Sequence, residues 1–184
     1  MSSVNEQQGG AAVEVNSNLA AWLRATPDAE PDAGLAKEMA ALRREDVSKP
    51  TIFVGAGTCG LGAGAAKTLA AVREYLRDKA VDADVVETGC IGFCSAEPLM
   101  DVQIPGKARL SYQHVAAKDV PKLLDGALAG QVNAESALMQ FPSGALESWE
   151  GVPPMAEHPF FAPQTRWVLK QCGEMNPLSI DEYI

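Results

Sequence analysis

The sequence predicts an α+β domain, ordered strand, helix, strand, hairpin, helix, and three observations predict it. A β-branched and aromatic run, Thr51 to Val54, enters a glycine-rich segment from Gly55 to Gly64. Ala65, Leu69, Val72 and Leu76 then recur at helical spacing. Further on, Pro105-Gly106-Lys107 separates two apolar-rich runs, which marks a turn between paired strands.

Each element follows from its residues. Thr51 to Val54 reads as a buried strand, and the glycines after it as a tight turn that other residues could not make. In the following helix Lys67, Arg73, Glu74 and Arg77 turn outward, giving an amphipathic element of about four turns. Val85 and Val86 centre a second strand, Asp84 to Glu87, that runs into Thr88-Gly89-Cys90. Leu99 to Ile104, with Met100 in the core, and Arg109 to Val115 form the hairpin. Val120, Leu123, Leu124 and Leu128 line the apolar face of a closing helix that ends near Gly130. This is the order of a thioredoxin-like sandwich, placed at residues 49–130.

The flanks read differently. Residues 1–48 are Ala- and Glu-rich and predict a helical N-terminal extension, with short helices near Leu19 to Leu23 and Leu35 to Leu42 joined by a Pro- and Asp-containing loop. Residues 131–163 have linker composition, with a short helix expected at Asn133 to Met139 before the series Pro142, Gly144, Gly151, Pro153, Pro154, Pro159 and Pro163. Within 164–184, Arg166 to Lys170 reads as a strand and Ser179 to Ile184 as the first turn of a helix.

Composition excludes several classes of function. A content of 47% hydrophobic and 21% charged residues is that of a chain that folds. The net charge of −9 repels nucleic acid and anionic membrane surfaces. No apolar run approaches the roughly 20 residues needed to span a bilayer, so direct membrane insertion is not expected. Met1 to Gly10 is polar and lacks a basic start followed by an apolar stretch, which makes a cytoplasmic location the default. In a reducing compartment the four cysteines then read as metal ligands, reactive thiols or core residues rather than a disulfide framework.

Three of the cysteines carry the chemistry. Cys90 and Cys94 share the loop Thr88-Gly-Cys-Ile-Gly-Phe-Cys94, and Gly89 and Gly92 let its backbone bend around inorganic sulfide and offer N–H donors. Cys59 lies in the other glycine-rich loop, and the predicted fold puts both loops at one end of the sheet. A [2Fe-2S] cluster needs four ligands, usually thiolates.

The segments Val54-Gly-Ala-Gly-Thr-Cys-Gly60, Val86-Glu-Thr-Gly-Cys-Ile-Gly-Phe-Cys-Ser95 and Glu97-Pro-Leu99 resemble the thioredoxin-like [2Fe-2S] ferredoxin domain of the NADH dehydrogenase flavoprotein family. That domain occurs in complex I flavoprotein-fragment subunits and at the N-terminus of flavoprotein subunits of NAD(P)-reducing hydrogenases and formate dehydrogenases. The tail from Arg166-Trp-Val-Leu to Asp-Glu-Tyr-Ile184 resembles the start of an FMN/NADH-binding module. The resemblance implies electron transfer between NADH/FMN and iron–sulfur partners in other subunits of a redox complex, as part of an NADH dehydrogenase-type oxidoreductase. It implies FMN, NAD(H) and [4Fe-4S] only for a module downstream of this sequence, so no catalytic residue is assigned. Cys59, Cys90 and Cys94 are the implied cluster ligands, with a fourth ligand missing at Gly55, where relatives place a cysteine, so that His114, an aspartate or a partner chain would have to complete the set. Cys172 matches a cysteine at the start of the flavin module and is not recruited.

Other readings stay open. Without a cluster, the domain would be a docking module that assembles the oxidoreductase. Gly55-x-Gly57-x-x-Gly60 after a strand, with Glu87 ending the next strand, is also a dinucleotide fingerprint, although a hairpin rather than a second crossover follows. A thiol enzyme is a further class, but Cys90 and Cys94 are spaced one residue too far for the redox motif. Cys172 reads as a small buried residue, His114 as an edge-strand surface residue, and His158 as loop. Trp149, Phe160, Phe161 and Trp167 read as residues that pack the linker onto the next module.

Overall fold

The computed structural model describes residues 17–25, 30–45, 47–144 and 146–183. Its first elements are two helices, α1 (Ser17–Ala25) and α2 (Ala33–Leu42), as expected for the N-terminal extension. Asp32 caps α2 by accepting a hydrogen bond from the Leu35 N–H at 2.9 Å, which satisfies one of the free donors of its first turn.

The sheet begins with β1 (Thr51–Gly55), in which all five residues are buried. Next come α3 (Thr58–Ala63), α4 (Ala65–Asp78) and β2 (Asp84–Thr88). The hairpin strands are β3 (Met100–Gln103) and β4 (Arg109–Tyr112), followed by α5 (Val120–Leu128) and β5 (Ala137–Phe141). The strand order is β2-β1-β3-β4-β5, with β2 parallel to β1 and the other pairings antiparallel. The architecture is the expected α+β, thioredoxin-like one. Because β3 runs antiparallel to β1, the second parallel crossover of a dinucleotide-binding unit does not form.

Alternation along the strands divides the sheet into two faces. Ile52, Val54, Met100, Val102, Leu110 and Tyr112 face α4 and α5 and meet Leu69, Val72, Leu76, Leu123 and Leu124 in the main core. Each such aliphatic side chain contributes about 1.5–3 kcal/mol on burial. The opposite face carries Phe53, Asp101, Arg109 and Ser111. There the Arg109 guanidinium pairs with Asp101 and lies 3.7 Å from the Phe53 ring centre and 4.9 Å from that of Phe141. It also donates to the Gly173 carbonyl at 2.6 Å, which holds the C-terminal segment over this face.

Three expectations are corrected. The glycine-rich segment is not an open loop, because Thr58–Ala63 forms the short helix α3 before Gly64 turns the chain at φ +111° into α4. Residues expected as a short helix near Asn133 to Met139 instead include β5, which pairs with β4 inside the stretch read as linker. Leu138 and Met139 are both buried there, so packing on two sides of the sheet overrides their helical propensity. The region after β5 is fixed too: the Gln140 side chain bonds the backbone of Trp149 and Val152, and the Trp149 indole N–H donates to the Ala108 carbonyl at 2.6 Å. Finally, Arg166 to Lys170 is a series of turns rather than a strand, with Trp167 and Val168 exposed. The end of the described chain is a 3₁₀ turn, Asp181–Tyr183. Among the described residues no helix is long and apolar enough to cross a membrane.

Candidate metal centre

Two loops at the same end of the sheet build the site. The first is the β1–α3 connection, where Cys59 lies in the first turn of α3. The second follows β2, with Cys90 in the loop and Cys94 opening a 3₁₀ turn, Cys94–Ala96. The loops touch because Gly57 has no side chain: a Cβ there would lie 2.9 Å from the Cys90 Cβ and 3.0 Å from the Cys90 backbone nitrogen. Gly60 serves α3 in the same way, since its Cβ would fall 2.1 Å from the Gly55 carbonyl oxygen. These glycines of the dinucleotide-like motif are therefore spent on close packing, and Glu87 is spent on an ion pair with Arg73 at 2.8 Å.

The result is a cluster of thiols. The Sγ atoms of Cys59, Cys90 and Cys94 all lie within 4.8 Å of one another, and those of Cys90 and Cys94 are 3.9 Å apart. Thiolates on a single tetrahedral ion with bonds of about 2.3 Å sit about 3.8 Å apart, so the Cys90–Cys94 edge already has the span of ligands sharing one metal. The Gly92 N–H points at the Cys90 Sγ at 3.3 Å, the kind of donor that stabilises a coordinated thiolate. Gly92 reaches that position with φ +95°, in the left-handed region where glycine is at home.

Without a cation the Cys90 and Cys94 sulfurs hold their protons more tightly than an ordinary thiol does. Burial pushes the Cys90 thiol up, against the pull of the Gly92 N–H, and the neighbouring Cys94 and Glu97 add to the rise. Cys94 is also raised, first through its hydrogen bond with Cys59. Such thiols are poor nucleophiles, which weighs against a disulfide-exchange enzyme. A thiophilic metal would displace those protons, and Cys59, Cys90 and Cys94 are the residues that could hold it.

An aromatic group anchors the second loop. Phe93 stacks on Phe160 with ring centres 4.1 Å apart, and it meets Phe161 and His158 edge-on. His158 is thus part of this packing rather than plain loop, and Phe161 is buried against Ile91 and Ala96. The Arg166 guanidinium donates to the Ile91 carbonyl at 3.0 Å, so the C-terminal segment also braces the loop. Trp149, expected among the linker aromatics, belongs to the main core, whereas Trp167 is exposed.

The other sequence candidates lie elsewhere. His114 is exposed just past β4 with φ +53°, at a turn rather than on a strand. Cys172 is half-buried and lies outside the thiol group. Gly55 ends β1 beside the site, and a Cβ on it would meet the Glu97 carboxyl oxygens at 3.1 and 3.3 Å. Glu97 is a buried polar neighbour of the first loop that the sequence did not single out.

No family model matches the chain. Among solved structures, the chain is similar to a thioredoxin-like [2Fe-2S] ferredoxin from Aquifex aeolicus at 18% identity, covering 53% of this chain and 98% of that one, with a TM-score of 0.44. A wild-type crystal structure of the thioredoxin-like [2Fe-2S] ferredoxin from Aquifex aeolicus matches at 17% identity over 50% of this chain and 98% of that one, with a TM-score of 0.43.

Proposed function

We propose that this domain is an iron–sulfur electron carrier of an NAD(P)H-linked flavoprotein oxidoreductase, with Cys59, Cys90 and Cys94 among the ligands of a [2Fe-2S] cluster. The observation that carries this reading is the convergence of three thiols, from two loops separate in sequence, within 4.8 Å of one another. Nothing in the packing of the domain requires that convergence, since Cys59 and Cys94 are exposed and fill no core.

The residues fit such a group in donor chemistry. Three sulfurs and an N–H donor from Gly92 give soft ligands and a hydrogen bond to sulfur. A bound cluster would supply one-electron chemistry. The protein's own part is to hold the ligands on α3 and on the loop that follows β2, so that little has to move when charge arrives. The family resemblance of the Cys90 loop adds the wider setting: electrons from NADH and FMN on another module, passed on to iron–sulfur partners in other subunits.

Anaerobic purification with iron and sulfide analysis tests the reading. The expected result is about two irons and two sulfides per chain, visible absorption that bleaches on reduction, and a paramagnetic signal from the reduced form. Colourless protein without iron, before and after reconstitution with ferrous iron and sulfide, would overturn it and leave docking as the function of the domain.

A further inference from the structure

Three buried side-chain oxygens, Glu97 Oε1, Asp101 Oδ1 and Ser111 Oγ, have no hydrogen-bond partner among the described residues, and their residues line one cavity of about 10 Å³. These residues are 6%, 7% and 1% exposed, so bulk solvent does not serve the three atoms. Burying a polar atom unpaired is costly, and folded proteins satisfy nearly all of them.

The backbone explains why the three meet. Asp101 on β3 and Ser111 on β4 are directly paired in the sheet, on the face turned away from the main core. Glu97 reaches the same place from the turn after Cys94, through the space that Gly55 leaves open: its carboxyl oxygens lie 3.1 and 3.3 Å from the position of a Gly55 Cβ. Each carboxyl group has its other oxygen engaged. Glu97 Oε2 accepts from the Leu99 N–H at 2.9 Å, and Asp101 Oδ2 accepts from both Nε and Nη2 of Arg109. What remains to be satisfied is one oxygen of each carboxyl group and one hydroxyl, around a space with room for one very small molecule.

We infer that this cavity is a site for a single internal water, which donates to Glu97 Oε1 and Asp101 Oδ1 and accepts from the Ser111 hydroxyl. Number and size both match, since a buried water typically makes about three hydrogen bonds and needs a polar cavity of about this volume. A bare cation suits the volume but not the surroundings, because the Arg109 guanidinium on the far oxygen of Asp101 repels it. The water ties the turn after Cys94 to β3 and β4. Gly173 of the C-terminal segment shuts it in: this residue also lines the cavity, and it lies so close to the second loop that a Cβ there would be 2.8 Å from the Ile91 Cβ. None of the cysteines lines the cavity, so the site stands whether or not they hold a cluster.

Two measurements on the full chain test this site. A high-resolution crystal structure should show one water within hydrogen-bond distance of all three oxygens. Magnetic relaxation dispersion of the water oxygen should count one long-lived water fewer in Ser111→Val, whose added methyl group fills the cavity, than in the wild type. An empty cavity in the crystal would overturn the inference, and so would an equal count of long-lived waters in the two proteins. At equal ionic strength the urea midpoint should be the same in sodium chloride and in choline chloride. A higher midpoint in sodium would assign the cavity to a metal ion and overturn the water.

Discussion

Gly57 and Cys90 are packed so closely that a single methyl group separates a formed site from an open one. The Cβ of an alanine at 57 would stand 2.9 Å from the Cys90 Cβ, with the contact falling on backbone as well as side chain. Gly57→Ala should therefore push the two loops apart and lower Co²⁺ affinity by tenfold or more, while far-ultraviolet circular dichroism stays unchanged. Gly60→Ala should behave differently. Its Cβ would collide with the Gly55 carbonyl at 2.1 Å, inside the β1–α3 junction, and overpacking of this kind costs about 1–3 kcal/mol of stability in urea unfolding.

The buried pair of Arg109 and Asp101 makes a second prediction. Both side chains are less than a tenth exposed, and Arg109 also holds the Gly173 carbonyl. Removing one partner leaves a buried charge, so Arg109→Met or Asp101→Leu alone should cost about 3–5 kcal/mol. The double variant should recover most of that loss. Arg109→Met should also speed proteolytic cleavage within 164–175, because the guanidinium ties that segment to the sheet; equal cleavage rates would count against the clamp.

The sequence made the central elements legible and the periphery much less so. The periodicity of Ala65, Leu69, Val72 and Leu76 matches α4 because that helix meets the sheet along one stripe, and local pattern is then enough. β5 was hidden because Ala137-Leu-Met-Gln-Phe141 lacks β-branched residues, and only its pairing with β4 makes it a strand. Conversely, Trp167, Val168 and Leu169 have strand-forming character yet lie in turns and are exposed. In the site, the cysteines announced themselves by type and spacing. The burial of Glu97 beside Gly55 was not legible, because that contact exists only in three dimensions.

Glu97 should leave a mark on stability as well. Burial raises its pKa above the usual carboxyl value, and the nearby Asp101 adds to the rise, while the Leu99 N–H opposes it. A raised carboxyl pKa means that the folded state holds the proton more tightly than the unfolded chain does. Its contribution is present below pH 4.5 and is lost as pH rises through the folded value. In the metal-free protein, Glu97→Gln should therefore raise the urea midpoint at pH 7 and flatten its decline above pH 4.5. A midpoint that falls at pH 7 would mean that the ionised carboxylate is stabilised by the fold.

At the alkaline end two tyrosines govern stability. Burial raises Tyr75 to about 12, helped by its hydrogen bond to Asp125, and burial raises Tyr112 to about 12 as well. Unfolded tyrosines lose their protons near pH 10, so folded stability should fall between pH 10 and about 12. Ultraviolet titration of phenolate should show these two groups ionising late. Tyr75→Phe should remove one late step and make the alkaline decline shallower.

Phe93 tests whether the aromatic wall holds the second cysteine loop in place. Its ring lies on Phe160 at 4.1 Å and meets Phe161 edge-on, and the loop it anchors carries both Cys90 and Cys94. Aromatic pairs of this kind add about 0.5–1.5 kcal/mol beyond area burial. If that energy steadies the loop, Phe93→Ala should leave the sheet intact and let a chelator strip Co²⁺ about two- to tenfold faster, which is that energy expressed as a rate. Phe93→Leu keeps the apolar volume without the stacking and should fall between the two. Stopped-flow loss of the cobalt–thiolate band reads all three proteins. Equal rates would place the rigidity of the loop elsewhere, in the Arg166 hydrogen bond to the Ile91 carbonyl at 3.0 Å.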